Sequence, residues 1–147
     1  MHEQIIRFNR IFKRLDDLYR QAARGSGVSE CALWILYALR ESDETLSQRM
    51  LCQRLMQPKQ SINTALKKME ADGWILLTPD ACDHRSKTIS LTQEGLAAAQ
   101  KTADPILAAE SRALTSFSSA ETEGCFLLLE RYAEKLACLL SREGETR

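Results

Sequence analysis

At 147 residues, with 44% apolar and 27% charged side chains, the chain has the size and composition of one folded domain or one subunit of a small oligomer. Its 6 glycines and 3 prolines exclude a collagenous or loop-rich architecture. No apolar run reaches the roughly 18 to 20 residues of a membrane span. The 20 basic and 20 acidic side chains cancel, so total charge points to no polyanionic partner.

The distribution of charge says more. Residues 1–24 carry six basic against three acidic side chains and residues 44–91 seven against five, whereas residues 92–147 carry six against nine. The N-terminus and middle are mildly basic and the tail acidic, a weak signal by itself. The opening Met-His-Glu-Gln-Ile-Ile-Arg lacks the basic-then-apolar layout of a secretory signal. A cytoplasmic protein with no membrane partner is the expectation. The five cysteines, Cys31, Cys52, Cys82, Cys125 and Cys138, are odd in number and have no CxxC spacing. They read as reduced thiols rather than a disulfide framework. All but Cys82 fall inside apolar helical patterns and are expected to be mostly buried.

Ile5, Phe8, Phe12, Leu15, Tyr19 and Ala22 recur at intervals of three and four, an amphipathic helix over 3–24 that ends near Gly25 and Gly27. Ser29 is placed to cap a second helix, whose run from Cys31 to Leu39 is apolar throughout and reads as enclosed on all sides. Ser47 can cap a short third helix that turns Leu51 and Leu55 inward. Pro58, a favoured first helical residue, opens a fourth helix running to about Asp72, with Gly73 as its stop. Trp74–Thr78 and Lys87–Leu91 read as two strands flanking the polar tip from Pro79 to Ser86. Thr92 and Glu94 begin a fifth helix, in which Pro105 predicts a kink or break. Ser118 and Glu121 have capping-box spacing and open a last helix. That helix carries two apolar stripes, Phe126, Leu129, Ala133, Leu136 and Leu140, then Leu128, Tyr132 and Leu139. Two stripes need two partners, one within the subunit and one in a second copy.

The fold class that follows is mainly α with a small β-hairpin. The third and fourth helices, joined by Met56-Gln57, form a helix-turn-helix, and the hairpin directly after them makes it the winged type. Ile62, Ala65, Leu66 and Met69 share one face of the fourth helix and can anchor it. The opposite face carries Lys59, Gln60, Asn63, Thr64 and Lys67, flanked by Ser61 and Lys68. Short amides and hydroxyls near a helix N-terminus can reach base edges in a major groove. The lysines better suit phosphates. A solvated helix face has the same composition. At the hairpin tip, Arg85 could enter an adjacent minor groove, with Asp83 steadying its guanidinium or merely pairing with it on the surface. Cys82-Asp83-His84 sets a thiol, an acid and an imidazole in a row, but neighbours on a hairpin tip lack the shielded, convergent geometry that thiol catalysis needs. No enzymatic activity, cofactor or metal is expected.

The stretch from Leu51 to Gly95 resembles the MarR family of bacterial transcription regulators. Leu51-Cys52-Gln53-Arg54-Leu55 is similar to the family's Leu-Ala-x-x-Leu, with Cys52 in place of the usual alanine. Lys59 to Thr64, followed by Leu66, Met69, Asp72 and Gly73, resembles its recognition helix. Asp83-His84-Arg85-Ser86-Lys87-Thr88-Ile89-Ser90-Leu91-Thr92 with Gly95 is close to the wing signature D-x-R-x-K-x-(I/V)-x-L-T-x-x-G, the most specific part of the match. The resemblance implies a homodimer on double-stranded DNA, with dimerisation helices over 1–28 and 105–147 and a winged helix-turn-helix over 29–104. Gln60, Ser61, Asn63 and Thr64 would lie in the major groove and Arg85, steadied by Asp83, in the minor groove, with Lys87 in the same interface. It also implies a repressor that responds to a ligand or an oxidant. For a small aromatic ligand, Tyr19, Arg20, Trp34 and Tyr37 could line a pocket, although an aromatic core accounts for the same residues. Oxidant-sensing members use a cysteine in the first helix, and residues 3–24 contain none. Zinc-sensing members need more ligands than Cys31, Glu30, Glu41 and the two histidines supply. Two alternatives stay open: a winged-helix module that binds protein, and a thiol-based regulator using Cys82.

Overall fold

The computed structural model describes residues 1–55, 57–79 and 87–144, apart from the side chains of residues 142–144. The elements are α1 (His2–Gly25), α2 (Glu30–Glu41), β1 (Leu46–Ser47), α3 (Gln48–Arg54), α4 (Lys59–Ala71), β2 (Ile75–Pro79), β3 (Lys87–Leu91), α5 (Gln93–Thr115) and α6 (Ser119–Gly144). The chain forms two compact units, Met1–Ala108 and Ala109–Arg147. The first is a mainly helical body carrying a small sheet, the fold class that the sequence predicts.

In the first unit, α2 lies at the centre of the core, with Leu33, Ile35 and Leu36 wholly inaccessible. Leu46, Leu51, Ile62, Leu66, Met69, Ile75, Ile89, Ala99 and Ala103 complete it from the surrounding elements. The expectation that α2 is enclosed on all sides is met in part, since Cys31, Trp34, Tyr37 and Leu39 are only half-buried. Both serine caps form as their positions imply. Ser29 Oγ accepts from the Ala32 N–H at 3.2 Å, and Ser47 Oγ accepts from the Met50 N–H at 3.2 Å. Pro58 stands one residue earlier than expected. It is the N-cap of α4, with extended ψ of 136°, and its carbonyl accepts from the Ile62 N–H at 3.1 Å.

The sheet has three strands rather than two, in the order β1-β3-β2, all antiparallel. β1 escapes a sequence reading because two residues are too few to show alternation, and its partner lies some forty residues away. The register sets Ile89 between Leu46 and Leu77, and Thr88 between Ser47 and Thr78. Ser47 thus belongs to a ladder and caps a helix at once. The sheet edge and the start of α3 are fixed by one residue.

The sheet is tied to the following helix at Trp74. Gly73, with φ of +74°, ends α4 in the left-handed region and turns the chain into β2. The Trp74 carbonyl accepts the Thr92 N–H at 2.9 Å, while Thr92 Oγ1 accepts the Gly95 N–H at 3.1 Å and so caps α5. At this closure the first turn of α5 lies directly on Trp74. A Cβ added to Gly95 would stand 1.9 Å from the Trp74 carbonyl oxygen and 2.8 Å from its carbon. Further along, α5 continues through Pro105 without the break that was one of the two expectations there. A proline inside a helix costs about 3 kcal/mol through its missing N–H and its ring. Burial of Ala99, Thr102 and Ala103 just before it holds the helix together. A two-pronged ion pair from Arg40 to Asp104, at 2.7 and 2.9 Å, fastens the same stretch to the end of α2.

The second unit is built on α6. Its capping box forms, with the Ser118 N–H and hydroxyl both donating to Glu121 Oε2, at 2.9 and 2.6 Å, and the Glu121 N–H donating back to Ser118 Oγ. These bonds hold the Glu121 carboxyl below the ordinary carboxylate range. Phe126, Leu128, Tyr132, Leu136, Leu139 and Leu140 are all exposed, Leu128 to 65%. Cys125 and Cys138, expected to be buried, are exposed as well.

Replacing Gly95 by alanine forces a methyl group against the Trp74 backbone and is expected to cost about 1–3 kcal/mol or more. In a thermal melt this lowers Tm by about 2–4 °C per kcal/mol. Gly25→Ala, where an added Cβ meets nothing within 4 Å, is the control and should leave Tm unchanged or slightly raised.

Candidate nucleic-acid interface

The candidate interface begins with the way α4 is held. Ile62, Leu66 and Met69 are buried to 2% exposure or less, at spacings of four and three that place them on one side of the helix. This side packs on α2. The other side is in solvent: Lys59, Gln60, Ser61, Thr64, Lys67 and Lys68 are exposed, as the sequence pattern implies.

The hydrogen bonds on that side distinguish residues that the sequence treats alike. Thr64 Oγ1 donates to the Gln60 carbonyl at 2.9 Å, which commits its one proton and leaves its lone pairs and methyl group outward. Lys68 Nζ pairs with Asp72 Oδ2 at 2.8 Å, one turn along the helix. Both partners are exposed, so the pair contributes little and opens readily. Asn63 is half-buried, and its Oδ1 accepts a hydrogen bond from Gln48 Nε2 at the start of α3. Sequence reasoning misses Gln48, since a glutamine in the first turn of a short helix looks like any solvated residue.

Around the helix-turn-helix, Arg54 is held by Glu44 at 3.0 Å, which ties the end of α3 to the loop before β1. The strands of the wing are joined by facing Thr78 and Thr88 hydroxyls at 2.8 Å. Among the described residues the ladder runs as far as the Pro79–Lys87 pair, with the Lys87 side chain exposed. Asp83 and Arg85, with Cys82 and His84, lie outside the described residues.

Away from α4, the aromatic residues singled out as a ligand pocket do come together. Tyr19 meets Trp34 edge to face at 5.4 Å between centroids, and Trp34 meets Tyr37 in the same manner at 5.5 Å. Arg20, the fourth residue of the set, pairs with Asp16 at 2.9 Å. It lines a small cavity of about 140 Å³ with Ala23, Arg24, Val28 and Glu30. A larger groove of about 270 Å³ runs between the start of α2 and the end of α4, lined by Val28, Ala32, Ala65, Lys68, Met69 and Trp74 among others. Cys31 and Cys52 are half-buried beside the core. Burial, then Glu30 and Cys52, push the Cys31 thiol above its ordinary pKa, which makes it a weak nucleophile. Among the described residues no group of three or more His, Cys, Asp or Glu side chains is placed to hold a metal ion. Among them, too, no helix is long and apolar enough to cross a membrane.

With this geometry in hand, the comparisons with known proteins are specific as to fold. A MarR family regulator from Neisseria meningitidis is similar to the chain with a TM-score of 0.80 and 18% identity, covering 95% of this chain and 98% of the other. MepR of S. aureus, in its DNA-binding conformation, matches with a TM-score of 0.74 and 19% identity, covering 88% and 98%. PcaV of Streptomyces coelicolor, in complex with its natural ligand, matches with a TM-score of 0.57 and 21% identity, covering 84% and 89%. No curated protein matches the sequence. The family model described as MarR family matches residues 26–86, from the turn before α2 through the wing segment. Over its winged helix-turn-helix segment the chain is similar to the MarR family, and its fold is that of the solved MarR regulators.

Proposed function

We propose that the protein is a sequence-specific DNA-binding transcription regulator, a repressor that acts as a homodimer on a pseudo-palindromic operator. The observation that carries this reading is the two-sided character of α4. One face is locked into the core by Ile62, Leu66 and Met69, and the other offers an amide, hydroxyls and lysines to solvent beside a wing. Gln60, Ser61, Asn63 and Thr64 contact base edges in the major groove. Lys59, Lys67, Lys68 and Lys87 neutralise phosphates, and Arg85, steadied by Asp83, enters the minor groove. Residues 29–104 serve as the DNA-binding region.

Dimerisation falls to residues 1–28 and 105–147. Its support is the apolar surface each unit leaves uncovered, Ile5, Ile11, Phe12, Leu15 and Leu18 on α1 and the leucine-rich face of α6. A two-fold dimer sets its reader helices about one turn of B-form DNA apart, roughly 10 base pairs, which a palindrome matches. A small aromatic ligand at the Tyr19, Trp34 and Tyr37 rings is the inducer class we assign. PcaV, of the same fold, is described in complex with its natural ligand.

Lys67→Ala is expected to weaken all DNA sequences alike and to reduce the slope of log K against log salt by about 1. A sequence-selective loss would contradict its phosphate role. Arg85→Ala should cost about 1–3 kcal/mol of operator binding by titration; undiminished affinity would remove the wing from the interface. A protein-binding module would show no steep salt dependence with DNA at all. Leu128→Glu with Leu139→Glu, both on exposed α6 positions, should give a monomer by light scattering, with operator affinity falling in parallel. A variant that stays dimeric would move the interface elsewhere.

A further inference from the structure

We propose that Gln48 determines base choice at the reader helix by fixing which end of the Asn63 amide faces the DNA. This rests on the reading of α4 as the major-groove element and goes beyond it, since Gln48 itself belongs to α3. An unconstrained asparagine carries an acceptor and a two-proton donor. It can therefore take adenine with two bonds, accepting from N6 and donating to N7. Asn63 is constrained. Its Oδ1 accepts from Gln48 Nε2, and it is half-buried where Gln60, Ser61 and Thr64 are exposed.

Gln48 is carried on anchored backbone. The residue before it, Ser47, is held in the β1–β3 ladder opposite Thr88 and caps α3 through the Met50 N–H. Gln48 is also half-buried, and of its two amide ends it is Nε2, the donor, that faces Asn63. With Oδ1 turned toward α3, Asn63 presents Nδ2 outward, a donor without its matching acceptor. An outward donor fits guanine N7 and O6, adenine N7 or thymine O4. It does not fit cytosine, whose major-groove edge offers only the N4 amine, itself a donor. Asn63 therefore excludes cytosine from its base position, and Gln48 is the residue that makes it do so.

Selection of binding sites from a randomised duplex pool tests this, using the full chain and comparing wild type with Gln48→Glu at one ionic strength. A carboxylate at that position can only accept, so Asn63 must donate to it through Nδ2 and turn Oδ1 outward. The expected result is a change at one symmetric position in each half-site. Wild type disfavours cytosine there by about five- to tenfold, and the variant favours cytosine or adenine over guanine and thymine. The added negative charge lowers affinity for every sequence and leaves the relative preferences readable. Gln48→Met, which neither donates nor accepts strongly, gives a second reading that survives if the charged variant folds poorly. It should relax the exclusion of cytosine without reversing it. In an Asn63→Ala background neither substitution should alter base preference. Identical selected sequences for wild type, Gln48→Glu and Gln48→Met would overturn the proposal and leave the DNA-binding reading intact. Failure of the wild type to enrich any sequence would overturn that reading and this proposal with it.

Discussion

The burial of Ile62, Leu66 and Met69 against α2 is the interaction on which the rest of the winged segment depends. A 13-residue helix is marginal alone in water, so α4 owes its existence to this apolar seat more than to its own propensity. The seat also decides which residues remain outside. Because the helix is fixed in rotation by three side chains, the polar arc from Lys59 to Lys68 is presented in one orientation rather than sampled. The neighbouring elements are built to hold that seat. The carbonyl of Pro58 receives the first helical bond, Gly73 turns the chain away at the other end, and Trp74 delivers it into a sheet already closed by Thr92.

Much of this is legible in the sequence because it is local. Ser29, Ser47 and the Ser118–Glu121 pair act as caps through residues three positions away, and the spacing alone identifies them. The apolar periodicity of α1, α4 and α6 likewise needs no knowledge of partners. What escapes is what depends on distant chain. β1 is two residues long and exists only because β3 lies beside it. Pro105 looks like a break because propensity is a local quantity, while the burial that preserves α5 is a tertiary one. Cys125 and Cys138 lie in apolar runs that predict burial, yet both are exposed, since an apolar run does not say what will cover it.

The candidate interface divides in the same way. Composition and helical phase identify its members, but their hydrogen bonding separates them. Gln60 and Ser61 are exposed, Thr64 has its proton committed, Lys68 leans on Asp72, and Asn63 is coupled to a residue of another helix. A contact fifteen residues apart in sequence leaves no periodic trace, so Gln48 could not be singled out by pattern. The helix-turn-helix is therefore better regarded as one polar surface shared by α3 and α4 than as a support and a reader.

The placement of Trp34 between two tyrosines has an optical consequence. The chain holds only 2 tryptophans, and Trp34 has phenol rings edge-on at 5.4 and 5.5 Å, one on α1 and one on its own helix. Light absorbed by either phenol can pass to the indole over so short a gap. The share contributed by Tyr19 falls as α1 separates from α2, while the Tyr37 share, within one helix, stays constant, so the change in sensitised emission reports that joint without an attached dye.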